Sequence, residues 1–104
     1  MAETASYAIL LSSRDNVATV LTSVESDTNL PVLVNGTPAL HVKTVEAIPL
    51  GHKVSVQDIP RGALVVKWGE TIGIATSDIR RGEHVHIHNV ASRRGRGDRT
   101  RGEG

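Results

Sequence analysis

Three of the five histidines fall in one short segment, His84-Val85-His86-Ile87-His88-Asn89. In an extended strand this alternation turns every imidazole to one face, and Val85 and Ile87 to the other. Neighbouring rings then start from Cα atoms about 6.6–7 Å apart, close enough for two of them to converge on one divalent ion. The outer pair is about twice as far apart, so all three on one ion is not expected. Neutral imidazole suits Zn, Fe, Co, Ni or Cu better than Mg or Ca. His84 and His86 are therefore candidate metal ligands, and His88 and Asn89 candidate substrate contacts. The same spacing also fits an ordinary strand with solvated rings, and Asn89 also fits a strand terminator. A metal site normally takes three protein ligands, and the sequence shows no obvious third.

His52 and Lys53 follow Pro49-Leu50-Gly51, at the start of an expected strand and so beside a turn, where functional groups are often displayed. An ammonium next to an imidazole disfavours the protonated ring, which would leave His52 neutral and able to act as a base. The two are candidate catalytic residues, with a pair of exposed polar side chains as the plainer reading. His41 alternates with Leu40 and Val42 and reads as a solvent-side strand residue. Trp68-Gly69-Glu70 reads as a strand end and turn, with Trp68 a packing anchor. Gly69 and Gly73 lack the strand-to-helix context of a phosphate loop, so no nucleotide cofactor is expected. With no cysteine, disulfides and thiolate metal sites are excluded.

The elements that must position these residues belong to one small domain, since 104 residues leave no room for two sizeable cores. Phe is absent and Tyr7 and Trp68 are the only aromatics, so the core must come from Val, Ile, Leu and Ala. Tyr7 to Leu11 suits a buried strand. Val17, Val20, Leu21 and Val24 recur at i, i+3, i+4 and i+7, which predicts one short helix, with N-cap candidates in Ser12 to Asn16. Asp27-Thr28-Asn29 would end it. From Leu30 to Val90 come short β-branched runs: Val32–Val34, Leu40–Ile48, Val54–Val56, Leu64–Trp68, Ile72–Ala75 and Val85–Val90. Separated by Gly and Pro, they predict a mainly β body with tight turns. Asn35-Gly36 suits a two-residue hairpin. Asp58-Ile59-Pro60-Arg61-Gly62 and Asp78-Ile79-Arg80-Arg81-Gly82 repeat at an offset of 20 residues, which suggests two similar corners related by a pseudo-twofold axis.

Charge divides the chain. Residues 1–92 hold 7 Lys and Arg against 9 Asp and Glu, whereas 93–104 hold 5 Arg against 2 acids. The domain is thus expected over 1–92, followed by a flexible Arg/Gly-rich tail over 93–104. Such a tail could neutralise phosphates, but with two aromatics in the whole chain a nucleic-acid partner is not expected. No apolar run approaches the roughly 20 residues of a membrane span, and no signal peptide is visible, so a cytoplasmic protein without a membrane partner is expected.

Taken in order, Asp15-Asn-Val-Ala18, Gly51-His-Lys53, Asp58-Ile59, Lys67, Gly69, Ile72-Gly73, Ala75, Asp78-Ile79 and Gly82-Glu-His-Val-His-Ile-His-Asn89 closely resemble the altronate and galactarate dehydratase family, in its N-terminal SAF domain. The resemblance covers about Asp15 to Val90 and implies a β-clip fold. It also implies a hydro-lyase that removes water from a sugar acid such as altronate or galactarate, or from a related hydroxy acid. Divalent iron or manganese is the implied cofactor. The family's single-chain enzymes continue into a large catalytic region, and sulfolactate sulfo-lyase is split into a small and a large subunit. The implied partner is therefore a large dehydratase subunit or region, with self-assembly left open. On this reading the histidine face closes over a shared active site, helping to bind metal or substrate, and Lys53 attracts the substrate carboxylate. A non-catalytic module that binds a carbohydrate or a protein is the alternative.

Overall fold

A computed structural model of the chain describes residues 6–92; the tail expected at 93–104 lies outside the described residues. Nine short strands run in order: β1 Ala8–Ile9, β2 Val17–Val20, β3 Asn29–Val34, β4 Thr37–Lys43, β5 Lys53–Ser55, β6 Leu64–Lys67, β7 Glu70–Ala75, β8 His84–Val85 and β9 Val90–Ser92. Six of them form one sheet in the order β4-β3-β1-β2-β5-β8, and three form a second in the order β6-β7-β9. The fold is mainly β, in keeping with a β-clip. Among the described residues no helix is long and apolar enough to cross a membrane.

The expected helix is not there. Val17 to Val20 form β2, paired with β1 and β5. Val17, Val20 and Val24 are all buried, so the spacing did mark an inward face, but β-branched Val17, Thr19, Val20, Thr22 and Val24 suit a strand and then a corner. The N-cap candidates serve a hairpin instead. Asn16 Nδ2 donates to the Leu64 carbonyl at 2.9 Å and the Val66 N–H donates to Asn16 Oδ1 at 2.8 Å. Asp15 Oδ2 and Oδ1 accept the N–H groups of Trp68 and Gly69, both at 2.8 Å. These bonds hold the two-residue turn between β6 and β7, where Trp68 has a φ of 58°. Trp68 is no packing anchor: it is 71% exposed.

Four corners organise the chain. Val24 pairs with Ile48, and Ile59 with Ile79, each pair as an isolated antiparallel bridge of buried residues. Three residues after each of them the chain takes a positive φ, at Asp27, Gly51, Gly62 and Gly82. The expected pair of repeats therefore packs face to face. The Arg61 N–H donates to Asp78 Oδ1 and the Arg81 N–H to Asp58 Oδ1, both at 2.9 Å, as a pseudo-twofold requires. Pro49 and Leu50 lead into Gly51 as Pro60 and Arg61 lead into Gly62, so the repeat has a further copy that lacks the aspartate.

Each corner pair closes its own core. The first core gathers Val24, Leu30, Val32, Val42, Ile48 and Val54 with Ala8, Ala18 and Val20; the second gathers Val17, Ile59, Val65, Ala75, Ile79 and Val85. The interior is thus aliphatic, as the composition requires. β2 is the wall between the two cores, since Val17 faces one while Ala18 and Val20 face the other.

Gly82 has φ +92°, and a Cβ there would lie 2.2 Å from the Lys43 carbonyl oxygen; Gly62, with φ +88°, has nothing within 4 Å. Gly62→Ala should therefore cost about 1–2 kcal/mol for the left-handed conformation alone. Gly82→Ala must also displace backbone and should cost measurably more. Urea unfolding of the two variants checks this, with equal losses as the outcome that contradicts it.

Candidate metal centre

The corners decide where the histidines go. His52 follows Gly51, and its N–H donates to the Pro49 carbonyl at 3.0 Å, closing that turn. Lys53 and Val54 then pair with Val85 and His84 across β5 and β8. Continued one residue outward, this antiparallel register sets His52 opposite His86 and diagonal to His84, although 32 residues separate His52 from His84.

The histidine segment is not one strand. β8 stops at Val85, and His86 to Asn89 form a turn. Asn89 causes it: its Oδ1 accepts the His86 N–H at 3.0 Å, its Nδ2 donates to the His84 carbonyl at 2.9 Å, and its own N–H donates to the His86 carbonyl at 3.2 Å. The side chain is 6% exposed and holds the loop. Ile87, expected to pack with Val85, stands 83% exposed at the tip.

The turn brings the rings together more tightly than alternation would. His52 stacks on His86 with centroids 3.9 Å apart and on His84 at 5.0 Å, and His84 stacks on His86 at 5.6 Å. His52 Nδ1 and His84 Nε2 lie 2.8 Å apart, sharing a hydrogen bond whose donor depends on tautomer. One ring nitrogen from each of His52, His84 and His86 falls in a set within 4.8 Å of one another. His88 is exposed, its ring tilted by 38° and 5.0 Å from that of His84. His41 is exposed on β4, where the sequence placed it.

The ring that joins His84 and His86 as a candidate third ligand is His52, which the sequence offered as a candidate base. The signal was present in the corner repeat: Gly51-His52 and Gly82-Glu83-His84 leave comparable corners, and the chain pairs directly after both.

The family model for the altronate/galactarate dehydratase SAF domain matches residues 6–93, the whole described body. The chain belongs to that family. The SAF domain is 39% identical over 82 residues to altronate dehydratase of Escherichia coli, and 32% over 82 residues to that of Bacillus subtilis. Each match covers 79% of this chain and 16% of the relative. It is 42% identical over 55 residues to the alpha subunit of (2R)-sulfolactate sulfo-lyase from Chromohalobacter salexigens, covering 53% of this chain and 58% of that subunit. It therefore spans less than two thirds of each of these relatives. The domain is one associated with lyases, occurring within larger dehydratases and as a sulfo-lyase subunit.

The electrostatics of the SAF domain favour neutral rings at His84 and His86. Partial burial is the largest cause holding His84 below its ordinary pKa, followed by the nearby His88 and His52, with Glu46 opposing. Glu46 Oε2 accepts the His84 N–H at 3.0 Å. His86 is lowered as well, by desolvation first and then by His52, Lys53 and His88. Neutral imidazole is the ligand form. Two nitrogens that each lie about 2.1 Å from one ion are at most about 4.2 Å apart, so for a set within 4.8 Å to ligate one ion the stacked rings must turn and the His52–His84 hydrogen bond must open. The donor set fits a divalent first-row cation of the kind the family resemblance implies.

A lowered folded-state pKa means that the unfolded chain binds these protons more readily, so stability falls with pH. The loss should begin near the unfolded value of about 6.5 and level off below the folded values. Thermal unfolding between pH 8 and 5 checks it: the melting temperature should drop over this interval, and less so in a His84→Gln/His86→Gln variant. An unchanged slope in the variant would assign the drop to other groups.

Proposed function

We propose that this SAF domain supplies a three-histidine divalent-cation site to a lyase that eliminates water from a hydroxy acid, a sugar acid such as altronate or galactarate or a related compound. The catalytic remainder resides in a large subunit or region. The observation that carries this reading is the convergence of His52, His84 and His86 from two corners that the fold holds in register.

Elimination from a 2,3-dihydroxy acid removes the proton beside the carboxylate and releases the neighbouring hydroxyl as water. A divalent cation at the triad, iron or manganese by family resemblance, would polarise the carboxylate and hydroxyl oxygens of the acid. The residues of this chain supply what that requires. The lowered pKa values of His84 and His86 keep ligand nitrogens available near neutral pH. Asn89 fixes the turn that aims His86, and Glu46 holds the backbone at His84. Three imidazoles leave coordination positions for substrate oxygens and for groups from the larger partner. His88, exposed beside the triad, would meet the substrate from the rim.

Anaerobic titration of the full chain with Fe(II), Mn(II) and Co(II), followed by calorimetry and by the Co(II) absorption spectrum, tests the site. One equivalent should bind, and His52→Ala, His84→Ala or His86→Ala should each weaken binding by about tenfold or more, while His41→Ala leaves it unchanged. No saturable binding, or equal binding in the triad variants, would favour the non-catalytic binding module.

A further inference from the structure

His86 forms one wall of a hollow of about 260 Å³ that it shares with Lys53, Ile72, Ile87, Val90 and Ser92. This volume lies below the roughly 300–1,000 Å³ of pockets for drug-sized ligands, so it suits a small molecule. Its chemistry is lopsided, because Ile72, Ile87 and Val90 give it apolar walls while Lys53 brings a half-buried ammonium.

Among the described residues that ammonium has no carboxylate partner. The ion pairs among the described residues are Lys43 with Asp27 and Arg80 with Glu83, and neither touches the hollow. The second charge near Lys53 is of the same sign, from Lys67. A partly desolvated cation beside another cation, against apolar walls, leaves an electrostatic deficit that an anion relieves.

We propose that this hollow is an oxyanion subsite, in which Lys53 binds the carboxylate or sulfonate head of a small hydroxy acid. Ile72 and Val90 give the pair a partly apolar floor that lowers the local dielectric, while Ile87 stands at the open rim. His86 belongs to both the hollow and the triad, so an acid anchored on Lys53 extends its hydroxyl-bearing carbons toward the three imidazoles. The subsite deepens the lyase reading, on which it rests for the identity of the acid, while anion binding itself needs no metal.

The full, metal-free chain at constant ionic strength is titrated with glycolate, with 2-hydroxyethanesulfonate and with neutral ethylene glycol, and followed by ¹³C methyl and lysine NMR. Either anion should give saturable shifts at Lys53, Ile72 and Val90, and the glycol none. Lys53→Met should weaken binding at least tenfold, Lys53→Gln should do the same, and Lys53→Arg should recover part of it. Circular dichroism confirms that each variant is folded. His41→Ala, on exposed β4 and outside both sites, should leave the anion titration intact, and because that titration is run without metal, the anion and metal readings fail separately. The stronger of the two anions names the preferred head group. Absence of saturable shifts with both, or undiminished binding in both folded neutral variants, would overturn the subsite.

Discussion

The bridge between Ile59 and Ile79 is the constraint on which much else rests. Each N–H donates to the other's carbonyl, at 2.7 and 2.8 Å, and Asp58 and Asp78 cross over to bind the opposite corner. Val24 and Ile48 repeat the arrangement at 2.9 and 2.8 Å. All four side chains are at most 2% exposed. Burying an aliphatic side chain of this size contributes about 1.5–3 kcal/mol, and the reciprocal backbone bonds satisfy groups that irregular loops would otherwise leave unpaired. A chain without Phe, whose described residues form no helix, thus encloses two aliphatic cores by turning sharply and often. The left-handed residue in each corner makes the reversal sterically possible.

The histidine cluster is a by-product of that plan. One corner releases the chain into His52, another releases it into His84, and the pairing of β5 with β8 lays the two exits side by side. His86 is added by a turn that Asn89 locks from within. Burial and mutual proximity then oppose protonation of His84 and His86. The site draws its rings from two segments far apart in sequence, so its geometry is as firm as the packing beneath it. Val54 and Val85 on the adjoining strands are both fully buried, one in each core.

Much of this was legible from residue types. Short β-branched runs gave the strands, Asn35-Gly36 the hairpin, and the Asp-Ile-x-Arg-Gly repeat the symmetric corners, because each of these is a local preference. The failures came where periodicity had two physical readings. Val17, Val20 and Val24 mark an inward face equally well for a helix or for a strand that enters a corner, and Leu21, 38% exposed, belongs to neither core. His84, His86 and His88 alternate as a strand would, yet the Asn89 side chain offers hydrogen bonds that stop the strand after two residues. The assignment of His52 to the cluster depended on register between distant segments, which the pattern within either segment does not contain.

Trp68 is the one indole in the chain, and the hairpin bound by Asp15 holds it 71% exposed. Its fluorescence therefore comes from a ring already in water when the protein is folded. Emission wavelength will follow global unfolding poorly, and a blue shift will instead report a surface closing over that hairpin. The molecule carries a built-in optical probe of docking at one defined point.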